Sequence, residues 1–79
     1  MTTKTLEYFL VVVKHLNISK AAKELFISQP ALSKQISQLE AELGVSLFDR
    51  TKHSLKLTYA GEVLLSETNE LFNKREELL

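Results

Sequence analysis

Apolar side chains recur at Leu6, Phe9, Leu10, Val13 and Leu16, spacings of three and four that gather them on one face and predict a first helix from Thr5 to Leu16. Val11 and Val12 dilute the stripe, and β-branched residues are mediocre helix formers, so packing is expected to hold this segment. Asn17 and Ile18 break the run. Ser19 is then a good N-cap for a short second helix with Ala21, Ala22 and Leu25, whose paired small residues let another helix cross closely. Phe26 and Ile27 end it. Ser28 is a second cap, and Pro30 falls in the first turn, where its missing N–H would have no intrahelical partner. A third helix is expected from about Gln29, with Leu32, Ile36, Leu39 and Leu43 inward and Pro30, Ser33, Lys34, Ser37 and Gln38 outward. Gln29 lies at its exposed tip, and Gly44 ends it where a left-handed residue costs least.

After Gly44 the period changes. Val45, Leu47 and Phe48 form one short apolar run and Leu55 and Leu57 another, separated by Asp49, Arg50, Thr51, Lys52, His53 and Ser54. This pattern predicts a two-stranded hairpin with a polar, basic tip. Thr58 caps a last helix running to Leu79, about 30 Å long at 1.5 Å per residue. On it Leu64, Leu71 and Leu78 recur every seven residues, as do Leu65, Phe72 and Leu79, with Thr68 and Arg75 on the same stripe. Val63 and Leu64 are expected to pack on the first helix. Beyond about Leu71 the helix is expected to outrun the small core, and a second copy of the chain is the expected cover.

A chain of 79 residues is one small domain, which excludes a multidomain enzyme and makes help from a partner subunit plausible. Two Gly and one Pro leave little turn punctuation and argue against an all-β fold. Cys is absent, so there is no disulfide, thiolate metal site or Cys nucleophile, which suits the cytoplasm as the expected location. No apolar run reaches the roughly 20 residues of a membrane span. Carboxylate pairs, His clusters and Gly-rich phosphate loops are missing too, so neither catalysis, a cofactor nor a metal is expected.

Net charge is zero, yet its distribution is uneven. From Lys14 to Thr58 seven bases face four acids, and from Tyr59 to Leu79 two bases face five acids. A short helix with paired Ala, a tight turn, a capped helix with a polar outer face and a basic hairpin together describe a winged helix-turn-helix. Each part suits duplex DNA. The second helix of such a pair aims its N-terminal side chains at base edges in the major groove. There Gln29 offers a paired donor and acceptor for adenine, Pro30 and Ala31 an apolar surface for a thymine methyl, and Lys34 a point charge for phosphate or guanine. Ser28 and Ser33 lie within reach of base or phosphate, and Arg50, Thr51, Lys52 and His53 form the wing toward backbone or minor groove.

Taken singly, these residues have plainer readings. Gln29, Ser33 and Lys34 also suit a solvated helix face. Arg50 has two roles open to it, DNA contact or a pair with Asp49 or a carboxylate at the core edge. A helical module that binds an acidic protein surface is the main alternative function, and steep salt dependence would separate DNA binding from it.

The segments Ser19-Lys20-Ala21-Ala22-Lys23-Glu24-Leu25, Ser28-Gln29-Pro30-Ala31-Leu32-Ser33-Lys34-Gln35-Ile36, Leu39-Glu40, Leu43-Gly44, Leu47-Phe48-Asp49-Arg50 and Leu57-Thr58-Tyr59-Ala60-Gly61 closely resemble the N-terminal domain of LysR-type transcriptional regulators. The resemblance covers nearly the whole chain. It implies a mainly α fold, with a winged helix-turn-helix over residues 1–58, a three-helix core plus a two-stranded wing, and a linker and dimerisation helix over 59–79. It also implies that Gln29, Pro30, Ser33 and Lys34 meet double-stranded DNA and that the wing after Arg50 touches backbone or minor groove. The dimer would use Leu64, Leu65, Thr68, Leu71, Phe72, Arg75, Leu78 and Leu79 to present two recognition helices to a pseudo-palindromic operator. The effector-binding domain that follows this helix in the family is absent from these 79 residues, so no small-molecule effector is expected to bind them.

Three positions depart from the family pattern. Lys34 stands where Arg is usual, replacing a two-pronged contact by a single ammonium. His53 occupies a wing position often held by Arg, and Ser54 one often held by Gly. A modest intrinsic affinity for DNA follows as an expectation.

Overall fold

Among the described residues the chain forms α1 (Thr3–His15), α2 (Ile18–Leu25), α3 (Gln29–Leu43), β1 (Phe48–Asp49), β2 (Lys56–Leu57) and α4 (Tyr59–Leu78). The computed structural model describes residues 1–51 and 54–78, with side chains along α4 described as far as Lys74. Lys52, His53 and Leu79 lie outside the described residues, as do the side chains of Arg75 and Leu78.

Helix α1 starts two residues earlier than its apolar pattern indicated, because the Thr2 hydroxyl caps it by accepting from the Thr5 N–H at 3.1 Å. It stops at His15, where Leu16 turns left-handed at φ 47° and sends its amide back to the Val12 carbonyl. That turn carries Leu16 away from the expected stripe and leaves it 42% exposed. Val12, expected only to dilute the stripe, is fully buried. The reason is tertiary: α1 packs on both α2 and α3, so its covered face is wider than a single stripe, and Leu10 and Val13 fill its flanks.

The second helix is capped by Asn17, whose Oδ1 accepts from the Lys20 N–H at 2.9 Å, and not by Ser19. Asn serves this role as well as Ser, and Leu16 already places the chain in position to enter a helix at Ile18. Ala21 and Ala22 are buried in the core, where α2 packs on both α1 and α3. Helix α3 begins and ends where the sequence indicated: the Ser28 hydroxyl accepts from the Ala31 N–H at 3.1 Å, and Gly44 closes the helix at φ 71°. Leu32, Ile36 and Leu39 are fully buried with Phe9, Val12 and Leu47, while Leu43 is 38% exposed.

The hairpin is antiparallel, pairing Phe48 with Leu57 and Asp49 with Lys56. Its strands are two residues each, shorter than the apolar runs, so Val45 and Leu55 lie outside the ladder. Thr58 caps α4, accepting from the Gly61 N–H at 3.0 Å while donating to the Ser46 carbonyl at 2.6 Å. One hydroxyl thus ties the wing base to the start of α4. Along α4, Leu64 and Leu65 pack against the core, but Val63 is 41% exposed rather than packed on α1. Thr68, expected on the dimer stripe, is instead closed into this chain: it is 2% exposed and donates to the Leu64 carbonyl at 2.7 Å. Its small side chain needs no partner subunit to cover it.

Candidate nucleic-acid interface

The exposed end of α3 is built by its cap. With Ser28 satisfying the Ala31 N–H, the helix starts sharply, and Gln29, Pro30 and Ala31 project to solvent from its first turn. Lys34 follows one turn on, also exposed, and no carboxylate among the described residues pairs with it. Ser33 is half-buried at the edge of this face. Five expected contact residues, Ser28, Gln29, Pro30, Ala31 and Lys34, therefore share one solvent-facing helix end.

Three hydrogen bonds beneath this end were not legible in the sequence. The Gln29 Nε2 donates to the Ser19 Oγ at 3.1 Å, linking the tip of α3 to the first turn of α2. Ser19 is available for this because Asn17 holds the cap. In the turn between the helices, Phe26 takes a left-handed conformation at φ 57°, held by the Phe26 and Ile27 amides reaching back to Lys23 and Ala22.

The wing is set against the far part of α3 by Glu40. Its Oε2 accepts from the Leu47 N–H at 2.7 Å and, more loosely, from the Phe48 N–H at 3.4 Å. Its Oε1 lies 3.7 Å from the Arg50 Nη2. Of the two partners weighed for Arg50, the core-edge carboxylate is the one it meets. Asp49 is engaged elsewhere, its Oδ1 accepting from both the Thr51 N–H at 2.9 Å and the Thr51 hydroxyl at 2.7 Å. Those Thr51 bonds hold the Asp49 carboxyl below its ordinary pKa, and they occupy the Thr51 hydroxyl within the wing. The Arg50 side chain remains 46% exposed beside this bracket. A sequence signal for Glu40 existed: it stands one turn after Ile36, on the flank of the buried stripe, where a lone carboxylate needs donors.

The basic excess counted along the chain is not all free. Lys14 Nζ donates to Glu24 Oε1 at 2.8 Å, and His15 Nε2 sits 2.8 Å from the same oxygen. The Lys14 bond, then the His15 contact, hold the Glu24 carboxyl below its ordinary pKa. Lys14 therefore belongs to a junction between α1 and α2, whereas Lys20, Lys23 and Lys34 keep exposed side chains. No group of three or more His, Cys, Asp or Glu capable of holding a metal occurs among the described residues. No helix there is long and apolar enough to cross a membrane.

Residues 3–62 match the family model described as bacterial regulatory helix-turn-helix protein, lysR family. The chain is 44% identical over 78 residues to the HTH-type transcriptional regulator BsdA of Bacillus subtilis, covering 98% of this chain and 27% of that protein. It is 42% identical over 76 residues to ClcR of Pseudomonas putida, covering 96% of this chain and 26% of that one. The chain thus spans about a quarter of the length of the curated regulators it matches. Among solved structures, the BenM DNA-binding domain in complex with catB site 1 DNA superposes with a TM-score of 0.90 at 36% identity, over 99% of this chain and 87% of that one. The CbnR DNA-binding domain in complex with DNA superposes with a TM-score of 0.88 at 35% identity, over 98% and 88% of the two chains. With the capped helix pair, the wing and the following helix all in place, the chain belongs to the LysR family of bacterial regulatory helix-turn-helix proteins, of which it carries the winged helix-turn-helix domain.

Proposed function

We infer that this chain is the sequence-reading, DNA-binding domain of a LysR-type transcriptional regulator. One observation carries the reading. The first two turns of α3 present Gln29, Pro30, Ala31 and Lys34 together to solvent, on a scaffold that superposes on domains solved in complex with DNA. In this reading α3 enters the major groove, Gln29 reads a base edge, and Pro30 and Ala31 meet a thymine methyl. Ser28, Ser33 and Lys34 hold base or phosphate, and Arg50, Thr51, Lys52 and His53 line the wing toward the backbone or minor groove. A second copy joins through α4, with Leu64, Leu65, Leu71 and Phe72 on the shared face and Arg75, Leu78 and Leu79 continuing it. Two recognition helices then address a pseudo-palindromic site. No metal or cofactor has a part in this mechanism, and its compartment is the cytoplasm.

Selection of bound duplexes from a random-sequence DNA pool, at low and at physiological salt, tests the reading. A pseudo-palindromic motif should be enriched, and binding to it should weaken steeply as salt rises. Gln29→Ala should relax base preference, whereas Lys34→Ala should weaken binding to all duplexes and flatten the salt slope by about one counterion. A pool left unenriched at both salts would overturn the assignment. So would selection by both variants of the same motif at undiminished affinity.

A further inference from the structure

We propose that Ser19 is a specificity-determining residue: by holding one N–H of the Gln29 carboxamide, it makes that side chain read adenine and reject guanine. The inference rests on Gln29 meeting a base edge, as set out above. Ser19 occupies the second residue of α2, a position with no obligation to the fold: Asn17 caps that helix, Ser28 caps α3, and neither uses the Ser19 side chain. Ser19 is nonetheless half-buried, and its hydroxyl oxygen accepts from the Gln29 Nε2 at 3.1 Å, ten residues away across the turn.

The stereochemistry of a primary amide supplies the rest. Nε2 bears two hydrogens, one on the same side as Oε1 and one turned away from it, and Oε1 is an acceptor only. In this proposal Ser19 takes the N–H turned away from Oε1, so that the free edge of Gln29 consists of one donor and one acceptor side by side. Adenine presents the matching pair in the major groove, N7 as acceptor and N6–H as donor. Guanine presents two acceptors, N7 and O6, and against them the held amide makes one hydrogen bond while its own Oε1 faces O6 without a proton between them. A Gln29 free to rotate can instead turn both N–H groups outward, toward N7 and O6. Removing the Ser19 hydroxyl therefore changes which base is accepted more than how tightly DNA is held. This separates Ser19 from a phosphate-binding hydroxyl, whose loss weakens every sequence alike.

The test uses the 79-residue chain, its Ser19→Ala, Ser19→Thr and Gln29→Ala variants and the Ser19→Ala, Gln29→Ala double variant, with a random-sequence duplex pool as probe. The base pair whose enrichment is lost in Gln29→Ala marks the position read. Matched duplexes carrying A or G there are then titrated. The wild-type chain should favour A over G by about tenfold or more, within the range of a two-bond base contact. Ser19→Ala should cut that ratio by about fivefold or more while losing less than about threefold in affinity for the A duplex. Ser19→Thr, which keeps the hydroxyl, should retain the ratio, and in the Gln29→Ala background Ser19→Ala should leave it unchanged. Ala is the best helix former and the Asn17 cap is untouched, so circular dichroism should show the variant folded. An unchanged A-to-G ratio in Ser19→Ala would overturn the proposal, as would an equal loss on both duplexes or a wild-type preference for G. Enrichment of one motif by wild type and Gln29→Ala alike would instead remove Gln29 from base reading, and the Ser19 proposal with it, while leaving DNA binding intact. Failure of the wild-type chain to enrich anything would remove both.

Discussion

Phe26 is an aromatic residue left in solvent. It is 94% exposed and left-handed at φ 57°, a conformation that brings Cβ against the following carbonyl. Asn reaches that region with far less strain, and exposure leaves no buried ring contact to lose. Phe26→Asn should therefore raise stability by about 1 kcal/mol, read as a higher urea midpoint at unchanged slope. A fall in the midpoint would mean that the ring is packed in solution. Glu40 is the opposite case. It is a charged residue whose side chain is only 18% exposed, with both oxygens engaged by the wing, so it positions Leu47, Phe48 and Arg50 together. Neither residue could be read from its type alone: an aromatic suggested core and a glutamate suggested surface.

At the scale of elements, the wing is held less by its four-residue ladder than by its junctions. Glu40 fastens it to α3, and Thr58 fastens its base to α4 through the Ser46 carbonyl and the Thr58 N–H bond to Leu47 at 3.0 Å. Gly61 completes the seam. A Cβ at that position would lie 2.3 Å from the Leu47 carbonyl oxygen and 2.6 Å from Leu57 Cδ2, so α4 reaches the wing only because residue 61 has no side chain. Gly61→Ala should cost about 2 kcal/mol, or roughly 10 °C in Tm for a domain of this size. An unchanged Tm would show that α4 can shift outward at no cost. In the sequence, Gly61 stood out only within a run shared with a family. Its distance to Leu47 belongs to the packing.

For the whole molecule, the open question of surface lies along α4. Leu71 is 52% exposed, and Leu43, Val45, Tyr59 and Val63 leave further apolar area around the first turns of α4, more than scattered surface leucines would explain. A second copy covering the helix would remove this area from water. Leu71→Glu, which alters no fully buried contact, should shift the chain from dimer to monomer in sedimentation equilibrium while its helical circular dichroism persists. A wild-type chain that sediments as a monomer at high micromolar concentration would refute this dimer.

Short-range features were determined by the sequence alone. The Ser28 cap with Pro30 behind it, the Gly44 stop and the Leu32, Ile36 and Leu39 stripe all depend on residues within one or two turns, so periodicity and capping chemistry locate α3 without reference to the rest. Six ordered segments also sufficed to identify the family. Tertiary structure decided what depends on a second element. It assigned the α2 cap to Asn17, buried Val12 between two helices and turned Thr68 inward. It also gave Ser19 to Gln29 and Arg50 to Glu40. The physical reason is common to all of them. A hydroxyl, carboxylate or small side chain has several partners of nearly equal energy within the chain, and only the crossing of helices and the seating of the wing bring one of them within three or four ångströms.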